Sequence, residues 1–378
     1  MIPFNKPYLT GNETEYIEQS VKSGKISGDG IFTKKCHNYF EENLGFSKVL
    51  LTTSCTDALE MAALLIDIKP GDEVIMPSYT FVSTPNAFVL RGAKIIFVDS
   101  RNDHPGMDED AIENLITNKT KAIIPVHYAG VACDMDKIMN LAHRYNLFVI
   151  EDAAQAIDSK YKGRQLGTIG HLAAFSFHET KNIISGEGGM LVINDERFID
   201  RAEMIREKGT NRSAFFRGEV DKYSWVDIGS SFLPSDIIAA FLFAQLEQLN
   251  TIQSRRREIW NNYDQKLRNN LVFKEKIRLP NIPKYATNNA HMYYIVCSNK
   301  KDRQGLLKKL KDNGVLAVFH YLSLHKSTFY KDKYKGEALP LSDHYSDCLI
   351  RLPLYYDLGT EDQNKVINLI LDFFYKNI

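Results

Sequence analysis

The stretch AIIPVHYAGVACDMDKIMNLAHRYNLFVIE, residues 122–151, decides the fold class of this 378-residue chain. It opens with an apolar run at Ala122–Val126 and closes with a second apolar run at Leu147–Glu151. Between these runs, apolar residues recur at helical spacing from Met135 to Tyr145, which predicts an amphipathic helix. A strand, a helix and a second strand in this order are typical of a parallel sheet covered by helices.

The same alternation extends on both sides of that stretch, over residues 45–195. Amphipathic stretches from Asp57 to Leu65 and from Asp108 to Ile116 predict further helices. The other strand-like runs are Lys48–Thr52, Glu73–Met76, Lys94–Val98, Ala173–Phe177 and Met190–Ile193. We therefore predict an α/β fold with a mostly parallel central sheet, and such sheets bind ligands beyond the carboxyl ends of their strands.

The pattern changes after the sheet region. Residues 211–231 are polar and aromatic, which predicts a long ordered loop, and a helical pattern runs from Pro234 to about Leu267. We divide the chain into a large domain, residues 1–254, and a small C-terminal α/β domain, residues 255–378. The small domain should contain an extended run at His291–Val296, a helix at Arg303–Asp312, a strand at Leu316–Phe319 and helices near Tyr345 and Asn368.

The composition excludes several classes of protein. The 47 Lys and Arg residues balance 47 Asp and Glu residues, which argues against binding to nucleic acid or to an anionic membrane through a net positive charge. No run of about 18 apolar residues predicts a transmembrane helix, and the first residues do not resemble a signal peptide, so we expect a cytoplasmic protein. The scattered cysteines predict neither disulfides nor a metal site; they are Cys36, Cys55, Cys133, Cys297 and Cys348.

Two carboxylates end the apolar run in FVIEDAAQA, residues 148–156. Glu151 and Asp152 should lie at the ligand-facing edge of the sheet, where a carboxylate can hold a cationic ring nitrogen. The alternative is that Asp152 only caps a helix, because Asp is a favourable N-cap residue. The motif alone leaves both interpretations open.

A lysine follows a predicted strand in AAFSFHETKNIISGEGG, residues 173–189. Lys181 lies between that strand and a glycine cluster, a place where desolvation can lower the pKa of the amine and make it a Schiff-base nucleophile. The alternative is a solvated turn lysine, the common fate of this residue type. The glycines match neither the Walker pattern nor the dinucleotide fingerprint, which argues against a hydride-transferring Rossmann enzyme.

A third segment, LLTTSCTDALEMAAL at residues 50–64, runs from a strand through a hydroxyl cluster into a helix. Backbone N–H groups at a helix N-terminus bind phosphate well, although Ser54 or Thr56 also qualifies as a simple N-cap. A phosphate cradle, a carboxylate and an amine together are what pyridoxal 5'-phosphate (PLP) requires. The three segments therefore predict a PLP site.

Several segments resemble the sugar aminotransferases of the DegT/DnrJ/StrS family: EDAAQA (151–156), SFHETK (176–181), SGEGG (185–189), PSYTFVSTPNA (77–87) and PVHYAGVACDMD (125–136). The resemblance covers essentially the whole chain. It implies the aspartate aminotransferase-like fold, which is PLP-dependent transferase fold type I. It also implies a homodimer with shared active sites, in which the partner's loop around residues 229–236 reaches the phosphate region.

The resemblance also implies roles for individual residues. Lys181 should be the catalytic lysine that carries PLP, Asp152 should pair with the pyridine nitrogen, and Gln155 should contact the ring hydroxyl. The resemblance implies that the phosphate is bound by Cys55, Thr56 and Ser176. It also implies that Phe81 stacks on the face of the pyridine ring and that Tyr321 lies at the sugar pocket.

Other residues are weaker candidates for substrate contacts. Asn211 and Arg212 belong to the predicted loop, and arginine suits a diphosphate, although a solvated loop explains them equally well. Lys25 and His320 are further candidates for the sugar nucleotide.

The opening MIPFN, the run GDEVIMPSYTFVST (71–84) and the run REKGTNRSAFFRGEVDKYSW (206–225) resemble family members that make dTDP-4-amino-4,6-dideoxy-D-galactose for enterobacterial common antigen and related lipopolysaccharides. This implies transamination of dTDP-4-keto-6-deoxy-D-glucose with L-glutamate as amino donor. A 4-amino-4,6-dideoxyglucose product, a 3-amino sugar product and a non-catalytic PLP-binding sensor remain alternatives.

Overall fold

The computed structural model describes residues 1–270 and 276–375. The strands are β1 (Val49–Thr52), β2 (Glu73–Pro77), β3 (Lys94–Val98), β4 (Thr120–Ile123), β5 (Phe148–Asp152), β6 (Lys160–Tyr161), β7 (Arg164–Gln165), β8 (Leu172–Ser176), β9 (Gly189–Ile193), β10 (Ile277–Arg278), β11 (Tyr293–Cys297) and β12 (Leu349–Leu352). The helices are α1 (Glu13–Lys22), α2 (Ile31–Asn38), α3 (Cys55–Leu65), α4 (Ser83–Val89), α5 (Met135–Tyr145), α6 (Ile199–Arg206), α7 (Arg212–Phe216), α8 (Asp236–Glu247), α9 (Leu249–Arg268), α10 (Lys300–Asp312), α11 (Pro340–Cys348) and α12 (Thr360–Tyr375).

The central sheet has the strand order β1-β9-β8-β5-β4-β2-β3. β9 runs antiparallel to both of its neighbours, β1 and β8, while the other pairs in the sheet are parallel. The carboxyl ends of β1, β5 and β8 therefore meet at one edge of the sheet. This arrangement confirms the predicted α/β fold with a mostly parallel central sheet.

Both faces of the sheet are buried, because alternate residues of each strand enter different cores. Val149 packs into the core that includes α5 and α8, whereas its neighbour Ile150 packs into the core that includes α3. This two-sided burial explains why the strands have near-continuous apolar sequences. It leaves the carboxyl edge of the sheet as the place where polar side chains gather.

A smaller sheet, β10-β11-β12, is antiparallel and belongs to the C-terminal part of the chain. Its core includes Ile295 of β11, Ile350 of β12 and residues of α10 and α12. The helix α9 links the two parts: Ile252 packs into a core of the large sheet, and Ile259 packs into the core of the small one. This change of core supports a boundary near residue 254, which stays a prediction.

Three predicted elements differ from the structure. The predicted loop at residues 211–231 contains the short helix α7, Arg212–Phe216. Residues 108–116 form 3₁₀ turns at Glu109–Ala111 and Glu113–Leu115 instead of an amphipathic helix. Such a helix would expose the Glu109 carboxylate, but this carboxylate is buried and accepts a hydrogen bond from Asp134 N–H at 2.7 Å. Residues 316–319 form no strand, since Val318 makes only an isolated bridge to Arg351. No helix within the described ranges is long and apolar enough to cross a membrane.

Candidate active site

A cavity of about 760 Å³ opens at the carboxyl edge of the central sheet. Asp152 at the end of β5, Ser176 at the end of β8 and Cys55 at the start of α3 line one part of it. Residues 319–322 and Arg351 of β12 line another part. The cavity therefore lies where the order of strands predicts a ligand site.

The two adjacent carboxylates of β5 have different surroundings. Glu151 is fully buried and accepts hydrogen bonds from the backbone N–H groups of Gly167, Ile169 and Gly170 at 2.7 to 2.8 Å. His127 Nδ1 accepts from a backbone N–H, so its Nε2 carries the proton and donates to Glu151 at 2.9 Å. Burial acts to raise the pKa of Glu151, but these hydrogen bonds hold that pKa below its usual value.

Asp152, in contrast, lines the cavity. Its Oδ2 accepts a hydrogen bond from Thr84 Oγ1 at 2.7 Å, and its Oδ1 accepts one from Ala154 N–H at 3.2 Å. The second contact resembles helix capping, the alternative interpretation of this residue, although no helix follows it. Burial raises the pKa of Asp152, and this carboxylate forms no ion pair with any described residue. A cation entering the cavity would offset that desolvation.

Lys181 reaches the same cavity from the connection between β8 and β9. The connection is closed by backbone hydrogen bonds from Phe177 N–H to Gly188 O at 2.8 Å and from Lys181 N–H to His178 O at 2.8 Å. Burial lowers the pKa of the Lys181 amine to about 8; Arg351 acts in the same direction, and Cys55 and Asp152 oppose it. Near neutral pH the amine is therefore much closer to its nucleophilic, neutral form than a solvated lysine.

The start of α3 forms the third side of the site. Ser54 is the N-cap residue, because its side chain accepts a hydrogen bond from Asp57 N–H at 3.0 Å, and Thr56 Oγ1 donates to Ser83 Oγ at 2.8 Å. A Cβ on Gly189 would lie 2.2 Å from the backbone of Ser54, so only glycine lets β9 approach α3 this closely. Ser54 thus caps the helix, while it and the next two residues, Cys55 and Thr56, line the cavity at a helix N-terminus, where an anion is favoured.

Gln155 and Tyr321 are joined in the cavity wall. Gln155 Oε1 accepts from Ala129 N–H at 2.6 Å, and its Nε2 donates to the Tyr321 hydroxyl at 2.9 Å. The His320 ring is stacked on Tyr321 at 3.6 Å, and the Phe81 ring lies 6.0 Å from Tyr321. Tyr321 has a φ of +54°, a left-handed conformation that is strained for a side chain of this size and is typical of functional sites.

The structure brings together most of the predicted site residues but not all of them. The cavity is lined by Cys55, Thr56, Phe81, Asp152, Gln155, Ser176, Lys181, His320 and Tyr321. Lys25, Asn211 and Arg212 do not line it. Lys25 is exposed, Asn211 Oδ1 accepts from Ser224 N–H at 2.7 Å, and Arg212 lies 5.2 Å from the Phe216 ring. Their substrate contacts stay predictions, as does the reach of the 229–236 loop into a partner's site.

Sequence motifs did not single out several residues that line the cavity, among them Thr84, His291 and Arg351. Thr84 holds Asp152, and His291 Nδ1 is 2.8 Å from Asn182 Oδ1. For Arg351 a signal was present, since it is a single charged residue within the apolar run LIRLPLYY, residues 349–356. A charge in an otherwise apolar strand marks either an ion pair or a ligand site.

These surroundings fit PLP. Its phosphate matches the donors at the start of α3 and the Ser176 hydroxyl, which face the same cavity. Its protonated ring nitrogen matches the buried Asp152 carboxylate, which forms no ion pair with any of the described residues. Its aldehyde matches the Lys181 amine, with a pKa of about 8. Each charged part of the cofactor therefore has a chemical counterpart in the cavity.

Comparison with known proteins extends this assignment. The family described as the DegT/DnrJ/EryC1/StrS aminotransferase family matches residues 7–371. GDP-perosamine synthase from Escherichia coli O157:H7 is 36% identical over 377 residues, which cover 99% of this chain and 98% of that protein.

Solved structures are also similar over the full length. The aminotransferase TlmJ from Streptoalloteichus hindustanus has a TM-score of 0.90 at 28% identity, covering 100% of this chain and 99% of that one. Spr1654 from Streptococcus pneumoniae has a TM-score of 0.90 in its PLP form and 0.91 in its PMP form, at 26% identity; the PMP form covers 100% of both chains. These relatives confirm fold type I and PLP as the cofactor.

Proposed function

This chain belongs to the DegT/DnrJ/EryC1/StrS aminotransferase family, and we propose that it transfers the amino group of L-glutamate to a 4-keto-6-deoxyhexose carried on a nucleoside diphosphate. The family match and the named relatives make the protein a PLP-dependent sugar aminotransferase. The donor, the nucleotide and the keto sugar are the proposed parts. The observation that supports the transamination itself is the convergence of Lys181, Asp152 and the start of α3 on one cavity.

In this proposal each residue acts through the group that faces the cavity. Cys55, Thr56 and Ser176 bind the phosphate, Phe81 covers the ring, and Gln155 contacts the ring hydroxyl. The Asp152 carboxylate holds the proton on the ring nitrogen. When bound, PLP supplies an electron-poor ring that withdraws electrons from the substrate carbon.

Lys181 is the proposed base. Its Nζ takes the proton from the amine-bearing carbon of glutamate in the first half of the reaction, and it returns a proton to the former keto carbon of the sugar in the second half. A pKa of about 8 suits both directions, because an amine with this pKa accepts and gives up a proton readily near neutral pH. Tyr321 and His320, in the wall of the cavity, are placed to contact the sugar.

Our first choice of acceptor is dTDP-4-keto-6-deoxy-D-glucose, which would yield dTDP-4-amino-4,6-dideoxy-D-galactose for surface polysaccharides such as enterobacterial common antigen. The runs at residues 71–84 and 206–225 support this choice, since they resemble the family members that make that sugar. The second candidate is a GDP-linked keto sugar, because a relative at 36% identity is named GDP-perosamine synthase. A 4-amino-4,6-dideoxyglucose product would reflect a different pose of the sugar in the cavity, and a 3-amino product would require a 3-keto sugar as the acceptor.

A competition experiment separates these acceptors. The PLP-loaded protein is incubated with L-glutamate and equal amounts of dTDP- and GDP-linked 4-keto-6-deoxyhexoses, and the products are identified by NMR. We expect amination of the dTDP sugar at carbon four, with the amino group axial. Preferential amination of the GDP sugar would replace the first choice with the second. If neither sugar is aminated, both acceptors are wrong, and a 3-keto sugar, which gives the 3-amino product, becomes the leading alternative.

A further inference from the structure

Arg351 occupies the middle of β12, opposite Tyr294 of β11. Its neighbours Ile350 and Leu352 pack into the core of the small sheet, so the alternation of the strand turns the Arg351 side chain the other way, into the cavity that holds Lys181. The Phe4 ring lies 4.7 Å from the guanidinium carbon. The charge is thus fixed in position by a buried strand.

The Arg351 guanidinium makes no hydrogen bond and no ion pair with any residue in the described ranges, and its Nε is shielded from solvent. Two other buried arginines have hydrogen-bond partners for their charge, although Arg206 Nε, like Arg351 Nε, has none. Arg256 donates from Nε to Ala290 O at 3.2 Å and from Nη2 to His291 O at 2.8 Å, and Arg206 donates from Nη2 to both carboxylate oxygens of Asp29 at 2.7 and 2.8 Å. A buried cation without such partners is unfavourable unless an anion enters beside it.

The surroundings of Arg351 supply no such anion. Burial lowers the pKa of Arg351, and the groups that oppose this are the phenols of Tyr128, Tyr321 and Tyr79, which are neutral at physiological pH. The pKa of each of these tyrosines is itself raised by burial. Arginine stays protonated in such an environment and presents a planar fork that fits a carboxylate. The cavity therefore contains a buried cation that an anionic ligand can neutralise.

The proposed reaction brings two kinds of oxyanion to the cavity, a carboxylate of glutamate and the diphosphate of the sugar nucleotide. The α-carboxylate of glutamate is attached to the carbon that reacts beside Lys181. The diphosphate is separated from carbon four by the sugar ring, which places it further from the lysine. Burial is the main cause of the lowered pKa values of Lys181, His291 and His320, and the charge of Arg351 acts on each of them in the same direction, so it acts on the groups around the reacting centre.

We propose that Arg351 is the residue that binds a carboxylate of the amino donor. The inference rests on the proposed function, because it takes glutamate as the donor. It gives a physical reason why one cavity accepts two dissimilar substrates in turn: the amino acid is held by Arg351, and the keto sugar, which has no carboxylate, uses other contacts. Arg351 is thus a specificity residue for the first half of the reaction.

Glutarate, a five-carbon dicarboxylate without an amino group, tests this binding without any turnover. Calorimetry would measure its affinity for the PLP-loaded protein and for three variants. Arg351→Gln should weaken binding about 10- to 100-fold, because a charge-assisted hydrogen-bond pair is lost. The glutarate affinity of Arg351→Lys should lie between those of the wild type and Arg351→Gln, since lysine keeps the charge but lacks the planar guanidinium group. Arg144→Gln, which removes an exposed arginine paired with Glu113, is the control and should bind glutarate normally.

The half-reactions identify which oxyanion is bound. Arg351→Gln should raise the glutamate concentration needed for half-maximal loss of the PLP band by at least about tenfold, while the concentration of keto sugar needed to restore the band stays unchanged. A selective loss of keto-sugar affinity would instead assign Arg351 to the diphosphate. Equal glutarate binding by wild type and Arg351→Gln, or no binding by the wild type, would also overturn the proposal.

Two further measurements distinguish failure of this proposal from misfolding of the variant and from failure of the proposed function. Arg351→Gln should unfold at the same temperature as the wild type or higher, because it removes an unpaired buried charge, so a misfolded variant is not the expected result. If the wild-type protein itself does not react with glutamate, the proposed function fails. If it reacts and the Arg351→Gln variant reacts equally well at low glutamate, only the role of Arg351 fails.

Discussion

Glu151 and Asp152 are adjacent in the chain, yet the structure gives their carboxylates different surroundings. Glu151 is saturated by hydrogen bonds from His127 and from three backbone N–H groups. Asp152 accepts two hydrogen bonds and faces the cavity. The first carboxylate therefore supports the fold around the end of β5, and the second is available to the cofactor.

Substitution of the two carboxylates should separate stability from activity. Glu151→Gln replaces an acceptor oxygen with an NH2 group that faces other hydrogen-bond donors. It should lower the free energy of unfolding by about 3 kcal/mol. Asp152→Asn should change that free energy by less than about 1 kcal/mol, because burial already disfavours its charge, yet it should slow a single turnover at least about a hundredfold. Urea denaturation and rapid mixing measure the two effects. Equal activity of Asp152→Asn and wild type would show that Asp152 does not act on the cofactor.

The amine of Lys181 should govern how fast the cofactor-free protein captures PLP. The neutral amine attacks the aldehyde, and burial lowers the pKa of this amine from 10.5 to about 8. Since a lowered pKa increases the neutral fraction at lower pH, the capture rate should rise up to a pH of about 8 and then level off. Absorbance after mixing with PLP measures the rate at each pH. A rate that continues to rise to a pH of about 10 would contradict the shift.

The start of α3 depends on its contact with β9. Gly189→Ala would place a Cβ 2.2 to 2.4 Å from the backbone of Ser54 and Cys55, so the donors at the helix start must move away from the phosphate position. We expect PLP affinity to fall at least about tenfold, measured by equilibrium dialysis. Gly359→Ala, where a Cβ would meet no atom within 4 Å, is the matched control. Unchanged PLP affinity in Gly189→Ala would show that the helix start does not hold the phosphate.

The strands of the central sheet could be predicted because each is a short apolar run buried on both faces. The predictions failed where tertiary contacts override local pattern. The 108–116 stretch has helical spacing, but the Glu109 carboxylate accepts a partly buried hydrogen bond from Asp134 N–H. Residues 316–319 have a strand-like sequence, but Val315 bridges to Ile2 and Val318 bridges to Arg351, so no continuous ladder forms.

The candidate site could be predicted in part for a related reason. Asp152, Ser176 and Cys55 are each close to the end of a strand, so sequence order alone indicates that they meet at one edge. Arg351 is far from them in sequence and enters the cavity from the small sheet, a placement that depends on how the two sheets pack. The choice of sugar depends on the shape of the cavity wall around Tyr321, which no motif encodes.

The surface of the single chain exposes large apolar side chains close to the cavity and on the 211–231 loop. Phe81 is 52% exposed, Leu322 is 62% exposed and Trp225 is 83% exposed. Exposed apolar groups in such clusters are typical of surfaces that another protein covers. We propose that a second copy of the chain covers them, as the homodimer implied by the sequence resemblance would require.

Light scattering should therefore report a mass twice that of the 43.2 kDa chain at the concentrations used for assays. Trp225→Glu should weaken this association, because it would bury a charge in an apolar contact, and the smaller species should lose activity in proportion. Far-ultraviolet circular dichroism would verify that the variant is folded. A fully active monomer would contradict the shared active site.

The most direct test of the proposed transamination is the visible absorption spectrum of the PLP-loaded protein, recorded before and after two additions. L-Glutamate should remove the visible band as the amino group is transferred to the cofactor, and dTDP-4-keto-6-deoxy-D-glucose should then restore the band. Lys181→Ala should show neither change. If the band is lost with glutamate but not restored, the class of reaction is right and the acceptor is wrong. A band that glutamate leaves unchanged in the wild-type protein would contradict the transaminase assignment with this donor.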